Sequence, residues 1–258
     1  MRVQFVIAGV QKAGTTALDH FLRAHPALCM PTRKEVHFFD DDRIDWRRPD
    51  YLRYHEFFTP QPGQICGEAT PIYSYWGPSL SRIRIYNPQM KLILCLRDPV
   101  ARAWSHWEME VSRGAELQTF ASAVGPGRQR VRSGPGSQWG CHRTYSYIER
   151  GLYVPQIQQL LALFPRSQVL FIEQATLRSD HRATLDRICD FLGVPRFATY
   201  PTPQIIRPLA KRTDLGTIPP PVAQALARLF AADTLQTEQR TGLNLSHWTS
   251  HPTRLQAP

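Results

Sequence analysis

A short hydrophobic segment that runs into a glycine-containing loop, and then into a helix, constrains the fold of this chain most strongly. Residues 6–18 read VIAGVQKAGTTAL, where an apolar run is followed by Gly14, and Thr15 and Thr16 then open a helical pattern. Glycine lets backbone amides approach an anion closely, and a helix start adds N–H groups with a positive dipole. Lys12 adds a cationic point charge. This stretch therefore predicts a strand, a phosphate-binding loop and a helix.

The order of residues in this loop differs from that of nucleoside triphosphatases. Their loop places Gly-Lys-Ser/Thr after four spacer residues, whereas Lys12 precedes Gly14 by two positions here. No aspartate that would hold Mg²⁺ is evident after a later strand pattern. A nucleotide kinase or NTPase with a degenerate phosphate loop is therefore the alternative interpretation, and it requires Mg²⁺-dependent turnover of ATP.

Strand and helix patterns alternate along the rest of the chain. Buried strands are predicted at Val3–Ala8, Lys91–Leu96 and Gln168–Ile172, with a weaker one at Ile65–Glu68. Helices are predicted at Thr16–Ala24, Val100–Ser112, Thr184–Leu192 and Val222–Phe230, with a further apolar repeat at helical spacing between Val154 and Phe164. Such alternation predicts an α/β fold: a P-loop-like parallel sheet flanked by helices on both faces.

The size and composition of the chain fit one such domain. Its 258 residues are 42% hydrophobic and 20% charged, which supports a full core and excludes a disordered or coiled-coil chain. We see no repeat and no linker, and we predict a single domain over residues 1–258. The Gly-, Pro- and Arg-rich residues 125–140 predict a mobile surface loop, and residues 249–258 a flexible tail.

The chain is strongly basic. It carries 31 Lys and Arg against 21 Asp and Glu, a net charge of +10. Such a surface attracts nucleic acid, anionic lipid, phosphorylated cofactors or acidic glycans. A basic nucleic-acid-binding module is thus a third interpretation, but no sequence motif of an RNA- or DNA-binding fold accompanies the charge. We therefore expect no nucleic-acid partner.

Cysteine usage and hydropathy bear on the compartment. The five cysteines are scattered, form no CxxC pair and predict neither a zinc site nor a disulfide framework. The N-terminal apolar run is too short for a secretion signal, and no stretch reaches the ~18 apolar residues of a membrane span. These features predict a reducing, cytoplasmic setting without a transmembrane segment.

A second polar cluster follows the predicted strand Lys91–Leu96. Arg97 comes directly after it, Asp98 and Pro99 are typical of a helix start, and Ser105 lies eight residues beyond Arg97 on roughly the same helix face. Doubly wound sheets bind ligands beyond the carboxyl ends of their strands. We expect Arg97 and Ser105 to bind a second phosphate; taken singly, an Arg97–Asp98 ion pair and an ordinary helix serine explain them as well.

With these segments placed, the chain resembles the sulfotransferases that use 3′-phosphoadenosine 5′-phosphosulfate (PAPS), in particular their heparan-sulfate-type and related bacterial branch. The matching motifs run in family order over about residues 3–248 and are QKAGTTAL, KEVHFFD, GEATPIY, RDPVARAWS, RGLYVPQIQQLLALFP and LDRICDFLGV. The resemblance implies a PAPS-dependent O-sulfotransferase, with PAPS as the donor and adenosine 3′,5′-bisphosphate (PAP) as the product.

The resemblance also implies roles for residues that match the motifs. The donor-binding residues are Lys12, Ala13, Gly14, Thr15 and Thr16 at the 5′-phosphosulfate, Arg97 and Ser105 at the 3′-phosphate, and Lys211 and Arg212 in a loop over the cofactor. Lys12 can stabilise the leaving oxygen, so no metal is required. Glu35 matches the general base, and a base of this kind contributes about 10²–10⁴-fold in rate.

The residues around Glu35 leave its protonation open. Neighbouring cations favour its charged form, whereas burial against the following phenylalanines raises its pKa. His37 and Glu68 are alternative bases. Glu68 is alternatively a residue that orients Lys12 or the substrate.

The acceptor stays open at this stage: the hydroxyl of a glycan, a glycolipid or a small metabolite. Family members that act on heparan sulfate tend to carry Lys where this chain has Ala69, and some carry a substrate-facing His where it has Met109. Trp139 and Tyr145 are expected to contact the acceptor. The arginines of the 125–140 loop are candidates for binding an acidic acceptor.

Overall fold

The computed structural model describes residues 1–133, 140–204 and 213–255. The chain forms two compact units. Unit 1 comprises the described parts of Met1–Leu96 and Gln158–Ile206, and unit 2 those of Arg97–Ile157 and Arg207–Pro258. That one domain covers residues 1–258 stays a prediction.

Unit 1 contains the parallel sheet. Its strands are β1 (Val3–Gly9), β2 (Leu28–Cys29), β3 (Ile65–Ala69), β4 (Lys91–Leu96) and β5 (Val169–Glu173). All neighbouring strands pair in parallel, in the order β2-β3-β1-β4-β5. Nearly every residue of β1 and β4 is buried, as continuous apolar runs of a doubly covered parallel sheet require. The predicted α/β fold, a parallel sheet flanked by helices, is confirmed.

The strand order places a topological switch point next to the loop that contains Lys12. From β1 the chain continues to β2 and β3 on one side of the sheet, whereas β4 is followed by β5 on the other side. The connections that follow the adjacent strands β1 and β4 therefore lead to opposite sides of the sheet, and doubly wound sheets generally bind ligands at such a point. The loop that contains Lys12 begins directly after β1.

Helices connect and follow the strands. In chain order they are α1 (Thr15–Arg23), α2 (Tyr51–His55), α3 (Gly77–Tyr86), α4 (Pro99–Ser112), α5 (Phe120–Val124), α6 (Gln129–Ser133), α7 (Cys141–Tyr145), α8 (Tyr153–Leu163), α9 (Thr176–Ser179), α10 (His181–Leu192), α11 (Pro220–Thr241) and α12 (Pro252–Leu255). Within the described ranges, none of them combines the length and apolarity needed to cross a membrane.

Unit 2 has its own apolar core. Buried side chains of α4, α5 and α11 surround Trp107, Phe120, Tyr147 and Phe230. Helix α11 continues to Thr241, well beyond the predicted end at Phe230. Its buried face continues beyond the apolar residues as threonines at positions 234, 237 and 241, which a search for hydrophobic periodicity does not register.

Two segments predicted as irregular contain helical structure. Residues 126–128 form a 3-10 turn that leads into α6, and the Arg130 side chain donates to the Gly127 carbonyl at 2.9 Å. In the predicted tail, Ser250 and His251 are buried and α12 follows. The mobility of residues 125–140 and the flexibility of residues 249–258 stay predictions.

Candidate functional site

The loop between β1 and α1 is tied to the sheet by its backbone. The Val10 amide donates to the Cys95 carbonyl at 2.9 Å, and the Ala13 amide donates to the Val10 carbonyl at 3.2 Å. The Cys95 thiol in turn donates to the Ala13 carbonyl at 2.9 Å. These bonds fix a tight turn whose next residues, Gly14 and Thr15, start the helix.

Gly14 shapes the entrance of α1. It has a φ of +86°, and a Cβ there would lie 3.1 Å from the Gln174 side chain and 3.3 Å from that of Leu177. Only glycine combines this left-handed backbone with such close packing. Among the described residues no side chain caps α1, and its first turn contains no acid. Its first amide groups therefore offer donors to an anion.

Three non-glycine residues within the described ranges have a positive φ: Lys12 at 71°, Glu35 at 60° and His37 at 57°. A Cβ disfavours this left-handed region by about 1–2 kcal/mol, so the surroundings must hold the backbone there. Strain of this kind collects at functional sites. The sequence resemblance predicts that Lys12 stabilises the leaving oxygen, that Glu35 is the base and that His37 is an alternative base.

Glu35, His37 and Asp40 form a chain of polar contacts. His37 Nδ1 lies 2.9 Å from Asp40 Oδ2, and His37 Nε2 lies 3.4 Å from Glu35 Oε2. Lys34 Nζ donates to Glu35 Oε1 at 2.5 Å. Asp40 is fully buried, whereas 39% of the Glu35 side chain is exposed. The network therefore runs from a buried carboxylate, through the imidazole, to a side chain that is exposed to solvent.

The structure settles the competition that the sequence left open at Glu35. Burial raises the pKa of Glu35, but the hydrogen bond with His37 and the charge and hydrogen bond of Lys34 outweigh burial and lower the pKa to about 2. Glu35 is therefore ionised at neutral pH, which is the form that a proton acceptor needs.

Glu68 lies in the interior of the protein, where hydroxyl groups surround its carboxylate. It is fully buried, and its carboxylate accepts hydrogen bonds from Tyr54 at 2.7 Å, Thr70 at 2.6 Å and Tyr73 at 3.1 Å. Burial raises its pKa, against these three hydrogen bonds. Three hydroxyl groups therefore enclose this carboxylate, and the roles expected of Glu68 as a base or as an orienting residue stay predictions.

Unit 2 contains Arg97 and Ser105, whose side chains are half-buried. Asp98 is the N-cap of α4, as predicted: its carboxylate accepts from two first-turn amides at 2.8 and 3.1 Å. The Tyr153 hydroxyl donates to the Arg97 carbonyl at 2.6 Å, which anchors the backbone after β4. That Arg97 and Ser105 bind a phosphate stays a prediction.

Of the two residues expected to contact the acceptor, only Tyr145 lies in the part of the chain that the structure describes. Tyr145 donates to the Ala115 carbonyl at 3.1 Å, and the Arg130 guanidinium lies 3.9 Å above the centre of its ring. Trp139, and likewise the donor-loop residues Lys211 and Arg212, lie outside the described residues. The acceptor role of Tyr145 and Trp139 stays a prediction.

The sequence analysis did not identify three residues that contact His37 or Glu68. Asp40 stands three residues after His37, and Thr70 and Tyr73 stand in the GEATPIY motif. The His-x-x-Asp spacing was a readable signal for the first. No sequence signal shows that Tyr73 contacts the KEVHFFD segment, since that contact exists only in the folded chain.

The fold and these two loops define the class of protein: an α/β protein with a glycine-containing turn and an uncapped helix start after β1, and an ionised carboxylate beside an imidazole. A model of the sulfotransferase domain matches residues 2–207. The chain therefore belongs to the sulfotransferase family.

Individual relatives agree with this family. Human heparan sulfate glucosamine 3-O-sulfotransferase 3B1 is 35% identical over 199 residues, which are 76% of this chain and 47% of that protein. Mouse bifunctional heparan sulfate N-deacetylase/N-sulfotransferase 4 is 30% identical over 213 residues, 76% of this chain and 23% of that protein. The chain thus spans less than half the length of these relatives.

Solved structures agree with the fold. A sulfotransferase from Alicyclobacillus acidocaldarius superposes with a TM-score of 0.80 at 26% identity, covering 96% of this chain and 99% of that one. The sulfotransferase domain from the curacin biosynthetic pathway has a TM-score of 0.54 at 15% identity, over 77% of this chain and 76% of that one. The second likeness concerns the fold alone.

Proposed function

We propose that this chain transfers a sulfuryl group from PAPS to a hydroxyl group of a carbohydrate acceptor. The observation that carries the proposal is the backbone strain at Lys12 and Glu35. Lys12 lies in residues 10–14 of unit 1, here called the phosphate loop, and Glu35 lies in residues 33–40 of the same unit, here called the base loop. Family membership supports sulfuryl transfer, and the names of the relatives, which refer to heparan sulfate, support a glycan acceptor.

The phosphate loop fits the donor. PAPS, when bound, supplies a sulfuryl group attached to a phosphate leaving group. We assign its 5′ end to Lys12, Ala13, Gly14, Thr15 and Thr16. The uncapped start of α1 offers amide donors, Gly14 lets the backbone approach, and Lys12 offers a charge for the leaving oxygen.

The rest of the donor is assigned from the family motifs. Arg97 and Ser105 bind the 3′-phosphate, and Lys211 and Arg212 cover the nucleotide. No residue of this set is a metal ligand in the proposal, and the positive charge that sulfuryl transfer needs comes from Lys12. The cytoplasmic location inferred from the cysteines stays a prediction.

Glu35 is the proposed base. Both ring nitrogens of His37 face carboxylate oxygens, an arrangement that the imidazolium satisfies and that leaves no lone pair to accept a proton. Glu68 is enclosed by hydroxyl groups. An acceptor hydroxyl that replaces Lys34 Nζ at Glu35 Oε1 would remove one of the contacts that lower the pKa of Glu35, and so would increase its proton affinity.

A transfer assay with labelled PAPS and a panel of oligosaccharide, glycolipid and small hydroxyl acceptors tests the proposal. We expect transfer by the wild type and roughly a 10³-fold loss of kcat in Lys12→Met, since a preorganised charge at the leaving oxygen is lost. Arg53→Met is the matched control, because Arg53 is a cation of the same unit whose side chain is 81% exposed. It should retain wild-type activity.

The assay also separates the alternatives. Transfer that persists in Lys12→Met would contradict the role of the lysine. Activity abolished by EDTA, together with Mg²⁺-dependent ATP turnover, would instead favour the nucleotide kinase or NTPase interpretation. The proposed mechanism gives the same rate with and without the chelator.

A further inference from the structure

The buried carboxylate of Glu68 lies at the centre of a group of hydroxyls. Its Oε1 accepts from Tyr54 and Tyr73, and its Oε2 accepts from Thr70, all within 3.1 Å. Burial and the negative charge of Glu68 raise the pKa of both tyrosines well above the usual value of a phenol. Both phenols therefore keep the proton that they donate to Glu68.

The Tyr73 hydroxyl group is both a hydrogen-bond donor and a hydrogen-bond acceptor. Its single hydroxyl proton is donated to Glu68 Oε1 at 3.1 Å. The oxygen of Tyr73 then has its lone pairs free to accept, and two backbone amides donate to it: Phe38 N at 3.1 Å and Phe39 N at 3.4 Å. Glu68 thereby fixes the hydroxyl orientation that these amides need.

These amides belong to the loop that carries the proposed base. Glu35 and His37 have φ values of +60° and +57°; His37 directly precedes Phe38, and Glu35 lies three residues before it. A second contact from the same motif holds the loop, since the Glu35 amide donates to the Ala69 carbonyl at 3.2 Å. The rings of Phe38 and Tyr54 also stack, with 4.9 Å between their centres. The strained backbone is thus clamped at both ends by residues 69–73.

We propose that Tyr73 and Glu68 are positioning residues: the Tyr73 hydroxyl, oriented by the Glu68 carboxylate, holds the strained backbone that presents Glu35 and His37 to the acceptor. The inference rests on the proposed function, because it concerns the base of that reaction. It explains why an acid is buried where no substrate can reach it. It also gives one physical reason why the KEVHFFD and GEATPIY motifs occur together.

The test compares two tyrosines that donate to the same carboxylate oxygen. Tyr73→Phe removes the hydroxyl that accepts from Phe38 and Phe39. Tyr54→Phe is the matched control, because it removes a hydrogen bond to Glu68 of 2.7 Å and keeps the stacked ring, without touching those amides. Both variants lose one buried hydrogen bond to Glu68, but only Tyr73→Phe also leaves the amides of Phe38 and Phe39 without their acceptor.

Two measurements are made on both variants. In hydrogen exchange, we expect the amides of Phe38 and Phe39 to exchange at least ~5-fold faster in Tyr73→Phe than in Tyr54→Phe, the effect of about one hydrogen bond. In the transfer assay, we expect kcat to fall roughly 10- to 100-fold in Tyr73→Phe, with KM for PAPS and affinity for PAP unchanged. Tyr54→Phe should lose less than about 3-fold in kcat.

The outcomes separate this inference from the proposed function. Equal exchange at Phe38 and Phe39 in the two variants, or an equal loss of kcat, would overturn the positioning role. A wild type that transfers no sulfate would overturn the proposed function, whereas the exchange comparison would still show whether Tyr73 holds the loop. Glu68→Leu adds a further check: it removes the acceptor that orients the Tyr73 hydroxyl, so exchange at both amides should again accelerate.

Discussion

Two cation-rich regions of this chain differ in what their charges contact and in how their backbone is held. In the base loop, Lys34 and His37 contact the carboxylate of Glu35, whose side chain is 39% exposed, on a backbone with two strained residues. In residues 125–133 of unit 2, Arg130 pairs with the buried Glu116 at 2.7 and 3.1 Å, and no non-glycine residue of that described segment has a positive φ.

The difference shows that a cluster of basic residues in the sequence does not by itself identify a candidate site. Both regions contribute to the net charge of +10, and the Gly- and Arg-rich segment is the more conspicuous in the sequence. Two of its arginines, however, are used within the chain: Arg128 pairs with Glu149 at 2.6 Å, and Arg130 pairs with Glu116. Exposure of the central carboxylate and backbone strain, rather than local charge, distinguish the base loop.

The largest expected effect is in the base loop. Glu35→Gln keeps the size of the side chain and removes its ability to take a proton, so we expect kcat to fall by about 10²–10⁴-fold. PAP affinity, measured by calorimetry, should stay within about 2-fold of the wild type. Full activity in Glu35→Gln would show that Glu35 is not the base. The two regions would then no longer differ in their role in the reaction.

Arg130→Met should do the opposite. It leaves Glu116, which is fully buried, without its cation, and we expect unfolding in urea to show a loss of about 2–3 kcal/mol with kcat nearly unchanged. Arg196→Met is the control, since Arg196 and Asp190 form an ion pair whose side chains are 58% and 55% exposed. Its loss should stay below about 1 kcal/mol. A large loss of kcat in Arg130→Met would give this segment a direct role in the reaction.

The smallest expected effect is a pH dependence of stability. Folding lowers the pKa of Glu35 to about 2. A lowered pKa stabilises the fold above the unfolded value of about 4.3, and this contribution disappears as the pH falls toward the folded value. The difference in urea midpoint between the wild type and Glu35→Gln should therefore be constant above pH ~5 and shrink between pH ~4.5 and ~2. A difference that does not change over this window would contradict the ion pairs at Glu35.

The sequence predicted the elements with strong local signals. β4 has the predicted bounds, and β1, β3 and β5 agree within one residue. α1 and α4 each begin one residue earlier than predicted. The two-residue β2 was missed, because a strand that short has no periodicity, and so was α3, which begins at Gly77-Pro78 and contains few apolar residues.

The site was predictable only as far as single residues go. Lys12, Glu35 and His37 were identified from their motifs, and the structure adds that all three have a left-handed backbone. The contacts of Glu68 with Tyr54, and of Tyr73 with Phe38, join segments that are 14 and 35 residues apart. Such pairs depend on how β3 and its flanking loops pack, and no local pattern encodes them.

A crystal structure of the chain with PAP tests the central claim most directly, namely that the turn after β1 binds the phosphate end of the donor. The account expects 5′-phosphate oxygens within hydrogen-bond distance of the Gly14, Thr15 and Thr16 amides and of Lys12 Nζ. A nucleotide bound elsewhere, with no contact to this turn, would contradict it.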